Sequence, residues 1–540
     1  MNVAILSNIN ISSIVEKLQE VIVVYSPAGY NTWTSELLDT SSELHKRKID
    51  IVFFLLDGLS LIGGLENSEE LLEKLRLIAD FAKSNPHIAV VVNTIDIANQ
   101  FPEAINTIPA ARILQSEWNR CNSKHEFDHL YWFDLAELIT IHGREKMYSR
   151  KGWYLGNLRF SNFGEDIIVE EIKRIIESFK GNKKKCLVLD LDNTLWGGVV
   201  GEVGLDGISL SAVKEGSQFY LFQRQLKRLK EMGVLLTICS KNNPEDAKEV
   251  FNNHPAMILK EKDFVLMKIN WKPKPENISE LAQELNIGLD SMVFIDDSEF
   301  ERESVKSQLP DLIVPEMPKD TTKLPEWFLD IQRKYFLFIS VTEEDANKTE
   351  MYQLQAQREQ LQKLSTSIEE YLTSLQMKQK IWLVSENDIV RAAQLTQKTN
   401  QFNLTTRRYT EFDIRRMIES DDYLVLMSSL EDKFGDNGKI ALMIVEKNGR
   451  RARIDTFLMS CRVMGRYVEN QFVDYVENML ANMGVEEIEA EYITTKKSVP
   501  VKDFWDSLGY KRSKEEDGKV LYNLRISDKP ERVFYSVLET

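Results

Sequence analysis

Residues 186–198 read CLVLDLDNTLWGG, an apolar run that ends in two aspartates two residues apart and then in paired glycines. Side chains two apart on a strand share a face, so Asp190 and Asp192 emerge together where the strand gives way to a loop. Two neighbouring carboxylates repel unless something cationic sits beside them. The pattern therefore asks for a divalent metal, a phosphate in need of a nucleophile, or both.

The rest of the chain bounds how that demand is met. Its 540 residues exceed one hydrophobic core and imply roughly three or four domains. A net charge of −16 argues against general nucleic-acid affinity. Cys121, Cys186, Cys239 and Cys461 are far apart with no metal-ligand spacing, which argues against a disulfide scaffold and structural zinc. The start, MNVAILSNINISSIVEKLQE, lacks the pattern of a signal peptide, and no segment reaches membrane-spanning length. The expectation is a cytoplasmic protein with no membrane partner; the sequence does not set its oligomeric state.

Strand-like runs alternate with helical patterns over 1–180, which predicts an α/β domain with a parallel sheet. After the lysine-rich FKGNKKK the alternation resumes over 181–318 as a second α/β domain. Residues 319–375 read as a helical bridge, and 376–540 as a separate α+β domain.

Within 181–318 each later strand ends in a residue suited to phosphate chemistry. VLLTIC leads to Ser240, NWKPKPENI offers Lys272 and Lys274, and MVFIDD ends in Asp296 and Asp297, carboxylates that suit a hard cation such as Mg²⁺. Strand ends of a parallel sheet gather on one edge, so these groups converge on Asp190 and Asp192.

The order Asp-x-Asp-x-Thr, Ser, Lys, Asp-Asp resembles the haloacid dehalogenase-like (HAD) superfamily, dominated by phosphatases. The resemblance implies that Asp190 attacks phosphorus and that Asp192 is general acid and then base. It implies phosphoryl binding by Thr194, Ser240 and a lysine, with Lys274 preferred because it lies three after Trp271. Mg²⁺ is then held by Asp190, by Asp296 or Asp297, and by the backbone carbonyl of Asp192. The intervals between the motifs are too short for a large cap domain, so the site is expected to be open and suited to phosphoryl groups on a large partner.

TQKTNQFNLTTRRYT (396–410) and IDTFLMSCRVMGRYVE (454–469), together with DLDNTLWGGVVGE, resemble the FkbH-like family from about residue 183 onward. That resemblance implies removal of phosphate from 1,3-bisphosphoglycerate and loading of the glyceryl group onto an acyl carrier protein thiol. The C-terminal half also resembles a GNAT N-acyltransferase fold. Arg462 and Gly465 fit its pyrophosphate loop, whereas Tyr467 departs from it. Cys461, placed ahead of an expected helix N-terminus with Arg462 beside it, is either a small core residue or, with the resemblance, an acyl-accepting nucleophile. Lys398, Asn400, Gln401, Asn403 and Arg407 either bind the glyceryl substrate or cap a helix and form a turn.

NLRFSNFGEDIIVEEI is similar to the closing segment of SGNH hydrolases. Aligned on Ser161 and Gly164, its Asp and His positions hold Gly156 and Arg159, so Ser7 lacks a base and the domain is expected to be an SGNH-like scaffold or partner-docking element without hydrolase activity. His142 is read as a loop residue. The leading expectation is an FkbH-type phosphatase and acyltransferase. The alternative is a phosphatase of a sugar- or lipid-linked intermediate fused to an N-acyltransferase in polysaccharide synthesis.

Overall fold

The computed structural model describes residues 1–540 except 30, 63–67, 86, 98–103, 105, 128, 182, 340–346, 400, 496–497, 517 and 540. It divides into two compact units, Met1–Ile176 and Glu177–Thr540, and the division falls within the helix Asn162–Phe179. The architecture is multidomain α/β. Among the described residues no helix is long and apolar enough to cross a membrane.

In the first unit, strands β1 (Asn2–Ser7), β2 (Val23–Tyr25), β3 (Ile51–Leu55), β4 (Ala89–Asn93) and β5 (Tyr131–Phe133) form a parallel sheet in the order β2-β1-β3-β4-β5. β3 and β4 are buried at every position, as strands covered on both faces must be. The helix Ser68–Ser84 turns Leu71, Leu75, Ile78 and Ala82 into that core at helical spacing.

The second unit opens with β6 (Cys186–Leu189), β7 (Leu235–Ser240), β8 (Leu266–Ile269) and β9 (Met292–Ile295), parallel and ordered β8-β7-β6-β9. The helix Ser217–Glu231 buries Phe219, Phe222, Leu226 and Leu229 against it. Helix Leu324–Tyr335 packs on the same core, with the rings of Phe222 and Phe328 4.7 Å apart. This part of the stretch read as a bridge therefore belongs to the core of the four-stranded sheet.

The bridging is done by the helix Lys348–Leu364. Its Tyr352 joins the core of the four-stranded sheet, while Leu361 packs against the core of the C-terminal sheet. The latter is built from β10 (Met377–Leu383), β11 (Phe402–Asn403), β12 (Tyr423–Asp432), β13 (Gly435–Asn448), β14 (Arg451–Met459), β15 (Glu487–Ile493), β16 (Lys511–Glu516), β17 (Lys519–Arg525) and β18 (Ser536–Glu539). Its order is β16-β17-β15-β14-β13-β12-β10-β18, with β11 on β14. β14 and β15 run parallel and pair only from Arg451↔Glu487 to Arg453↔Glu489. Beyond that they part, and residues 402–404 enter between them: Leu404 N donates to Phe457 O and Ile493 N to Leu404 O.

Candidate active site

Register assembles the first site. Leu189 is level with Ile295 on β9, so the next residues, Asp190 and Asp296, leave adjacent strands side by side. The chain then turns sharply: Asn193 adopts φ 54°, a conformation asparagine tolerates, and its Oδ1 accepts from Gly198 N. Gly198 itself sits at φ 95°, where a side chain would be strained. Downstream of β9, Arg302 donates to the carbonyls of Asp296 and Asp297, and Ser298 caps the helix Glu299–Gln308.

Lys274 opens the helix Lys274–Glu284 between Pro273 and Pro275, whose fixed φ suits a helix start. Its Nζ lies 2.8 Å from Asp190 Oδ1 and 2.5 Å from Asp296 Oδ2, and all three residues are buried. Lys272 instead pairs with Glu280 at the surface, which places Lys274 as the lysine of the site. Burial alone would lower the Lys274 ammonium, but Asp190 and Asp296 outweigh it and the net direction is upward.

Asp190, Asp296 and the exposed Asp297 each offer an oxygen within 4.8 Å of the others. Three hard-oxygen carboxylates against one ammonium leave an excess of negative charge, which fits a divalent cation such as Mg²⁺. The Asp192 carboxylate lies outside this trio. It accepts from Trp196 Nε1, Val200 N and Asn242 Nδ2, so any part of Asp192 in a metal shell falls to its main-chain oxygen. Burial raises its carboxyl above the usual range despite those donors, as suits a general acid. Asn242, in the SKNN run after β7, escaped the sequence reading, although a polar run at a strand end was the available signal.

Ser240 closes β7 and is buried, one level beyond Asp190 by the β6–β7 register. Thr194 is fully buried, and its Oγ1 has no hydrogen-bond partner among the described residues. A buried hydroxyl four residues after Asp190 that makes no hydrogen bond within the described residues can serve a ligand oxygen. Thr194→Val should therefore leave the melting temperature unchanged or slightly raised, because no protein hydrogen bond is lost, while phosphate release falls about a hundredfold. Calorimetry and a phosphate-release assay on one preparation check both halves.

Burial and the charge of Asp190 push the Asp296 carboxyl up to about 6. A carboxyl raised on folding is penalised above its folded pKa and relieved as pH falls through it. In EDTA, the stability of Asp296→Asn relative to wild type should thus increase as pH rises from about 4 to 6, and Mg²⁺ should remove that increase. Thermal midpoints of both proteins across that range are the measurement.

Cys461 lies elsewhere. Residues Cys461–Val463 form a 3₁₀ turn and the next helix begins at Val468, so the expected helix N-terminus against the thiol is absent. Instead Cys461 shares its cavity lining with the buried Tyr352 of the bridging helix. It lines a cavity of about 540 Å³ together with Arg462, Gln401, Lys398 and, from the segment before β6, Lys183, Lys184 and Lys185. The lysine run that reads as a linker is thus the cavity's basic rim. Gln401 Oε1 is buried without a partner. Asn403 is a correction: Oδ1 accepts from Thr405 N and Thr406 N and Nδ2 donates to Thr399 O, so its side chain serves its own turn. Arg407 pairs with Asp455 and Glu491. Asn400 lies outside the described residues.

The cavity rim and the carboxylates occupy opposite edges of one sheet. Lys185 and Ser291 precede β6 and β9, whereas Asp190 and Asp296 follow them. Five residue steps, from Lys185 to Asp190, separate the two levels by about 16 Å.

Tyr467 sits at φ 62° with its ring against Tyr535, and Glu469 lies in the first turn of the helix Val468–Asn482. Burial pushes that carboxyl up to about 7.

In the first unit, Ser7 Oγ donates to Leu55 O, and Arg159 stands 2.8 Å from Asp57 with its guanidinium over the Tyr148 and Trp153 rings. His142 packs edge-on against Phe163. No base is placed on Ser7 among the described residues.

No family model matches the chain, and no curated protein matches it. Among solved structures it is similar to the N-terminal part of a Bacteroides fragilis protein containing a phosphatase domain, complexed with Mg: 27% identity and a TM-score of 0.57 over 63% of this chain and 94% of that one. That share is more than twice what residues 181–318 would supply, so the likeness extends beyond them. Two further structures align over the full or nearly full length of smaller chains. The ribosomal-protein-S18-alanine N-acetyltransferase of Escherichia coli gives 15% identity and a TM-score of 0.23 over 29% of this chain and 99% of that one. The GNAT domain of S. lividans PAT gives 18% and 0.23 over 27% and 89%.

Proposed function

We propose that this chain is a Mg²⁺-dependent HAD-like phosphatase of the FkbH type. It removes phosphate from an activated, glycerate-like acid and passes the acyl group to the thiol of an acyl carrier protein. The phosphatase half is supported by the likeness to a Mg-complexed phosphatase-domain structure and by the Asp190, Lys274, Asp296 and Asp297 cluster. Asp190, Asp296 and Asp297 would hold Mg²⁺, which when bound neutralises charge on the phosphoryl oxygens.

The chain's own groups do the rest. Asp190 attacks phosphorus and Lys274 fixes its orientation. Thr194 and Ser240 hydrogen-bond the phosphoryl oxygens, and Asp192, held by Trp196, Val200 N and Asn242, gives a proton to the leaving oxygen and takes one from the attacking water.

The acyl-transfer half rests on one observation: Cys461 lines a cavity whose rim carries the lysines of the run 183–185. A thioester-using N-acyltransferase is disfavoured. Residues 402–404 close the gap between β14 and β15, and Tyr467 departs from the pyrophosphate-loop pattern.

Incubation with 1,3-bisphosphoglycerate should add a hydroxylamine-sensitive mass to wild-type protein. Cys461→Ser should show none, yet still hydrolyse a simple phosphomonoester. If the serine variant loads a carrier thiol at the wild-type rate, Cys461 is a packing residue and the covalent route is wrong.

A further inference from the structure

Beside Cys461 the chain links three guanidiniums to a single carboxylate. The bridging helix carries Met351, Gln355 and Arg358 at helical spacing, so the three share a face. Arg358 donates to both oxygens of Asp432, and Arg466 donates to the same carboxylate at 3.1 Å, to Gln355 Oε1 and to the main-chain oxygen of Arg462. Arg462 completes the group and has no carboxylate of its own among the described residues. Its Nε donates to Ser460 Oγ, its Nη1 to Met351 Sδ, and its guanidinium stands 5.7 Å over the Tyr352 ring.

A hydroxyl, a thioether and a ring hold a guanidinium in place without cancelling its charge. The group therefore sets three positive charges against one negative. Burial first, and the charges of Arg358 and Arg462 after it, push the Arg466 guanidinium down to about 10, still protonated at neutral pH. The excess faces open space. Arg462 and Cys461 line both the cavity of about 540 Å³ and a second one of about 370 Å³, and Gln355 lines the second.

Resting on the acyl-transfer reading above, we infer that Arg462 is the anion-recognising residue of the Cys461 site: it holds the phosphoryl group of the acyl phosphate and turns the carbonyl carbon toward the sulfur. A planar guanidinium offers paired donors that match phosphoryl oxygens, and its neighbour in the chain is the nucleophile, so binding and orientation coincide. The Cys461 sulfur attacks the carbonyl carbon, and the C–S bond forms as the C–O bond to phosphate breaks. The departing phosphate takes the electron pair and the thiol proton and leaves as hydrogenphosphate, with Arg462 answering the charge that builds on it. Because the larger cavity lies at the sheet edge opposite Asp190, the acyl-linked phosphate leaves at Cys461 and only an ester-linked phosphate is removed at Asp190.

The test compares two donors on full-length protein by rapid-quench intact mass: 1,3-bisphosphoglycerate, and the uncharged N-acetylcysteamine thioester of glyceric acid. Arg462→Gln should slow acylation of Cys461 at least tenfold more with the acyl phosphate than with the thioester, mainly by raising the half-saturating concentration, and Arg462→Lys should recover part of the loss. Gln355→Glu guards against a fold defect. It keeps the acceptor for Arg466 and adds the missing negative charge, so it should raise the melting temperature and still slow the acyl phosphate selectively. An anion on the acceptor is the competing occupant, so discharge is followed to pantetheine and to phosphopantetheine, and Arg462→Gln should treat the two alike. The inference is overturned, while the acyl-transfer reading stands, if Arg462→Gln slows both donors equally or neither, if Gln355→Glu leaves the acyl phosphate rate unchanged, or if the loss is confined to phosphopantetheine. If wild-type Cys461 gains no hydroxylamine-sensitive mass at all, the acyl-transfer reading fails and takes the inference with it.

Discussion

Asp190→Asn should lower phosphate release by about three orders of magnitude or more, with a melting temperature close to wild type. Asparagine keeps the shape of the side chain and removes the nucleophile. The fold has little reason to suffer, because Lys274 retains its 2.5 Å contact with Asp296 and one of two close, like-charged carboxylates is gone. A phosphate-release assay in saturating Mg²⁺ gives the answer. Release at even a tenth of the wild-type rate would remove Asp190 from its assigned role.

The second large effect concerns how the domains of the second unit are joined. Arg358, on the bridging helix Lys348–Leu364, makes a two-pronged pair with Asp432 at 2.7 and 2.8 Å, and Arg466 approaches the same carboxylate at 3.1 Å. All three side chains are almost completely buried. Asp432→Ala would leave two guanidiniums in a dry interior with no counter-charge, a loss of about 3–5 kcal/mol. Denaturant unfolding measures the loss, and hydrogen exchange should show it concentrated in the Lys348–Leu364 helix. Because that helix carries Tyr352 to Cys461, acyl transfer should fall further than phosphomonoester hydrolysis. A loss below about 1 kcal/mol would mean that water reaches the pair in solution.

The phosphatase-side site was the most legible part of the chain because its chemistry is local to strand ends. Asp190, Ser240, Lys274 and Asp296 each follow a recognisable apolar run or turn, and parallel strands bring such ends together without further information. Register then decides what spacing alone leaves open, separating Lys274 from Lys272 and the Asp192 carboxylate from the metal-type trio.

The second site was legible in its thiol and not in its setting. Cys461 owes its surroundings to Tyr352, more than a hundred residues earlier, and to the lysines before β6, and no short-range pattern encodes those meetings. The polar run 398–407 is divided for a similar reason. Gln401 faces the cavity, whereas Asn403 and Arg407 are consumed by contacts in their own domain, an outcome that tertiary pairing decides. The same holds for Arg358 and Asp432, which in sequence are ordinary surface-type charges.

The central claim is that one chain removes an ester phosphate at Asp190 and captures an acyl group at Cys461, on opposite edges of one sheet. The most direct test is the mass of the thioester that Asp190→Asn forms on pantetheine from 1,3-bisphosphoglycerate. The account predicts a thioester heavier than the wild-type product by one phosphoryl group, because capture proceeds while ester hydrolysis does not. A variant that forms no thioester, or one of wild-type mass, would contradict it.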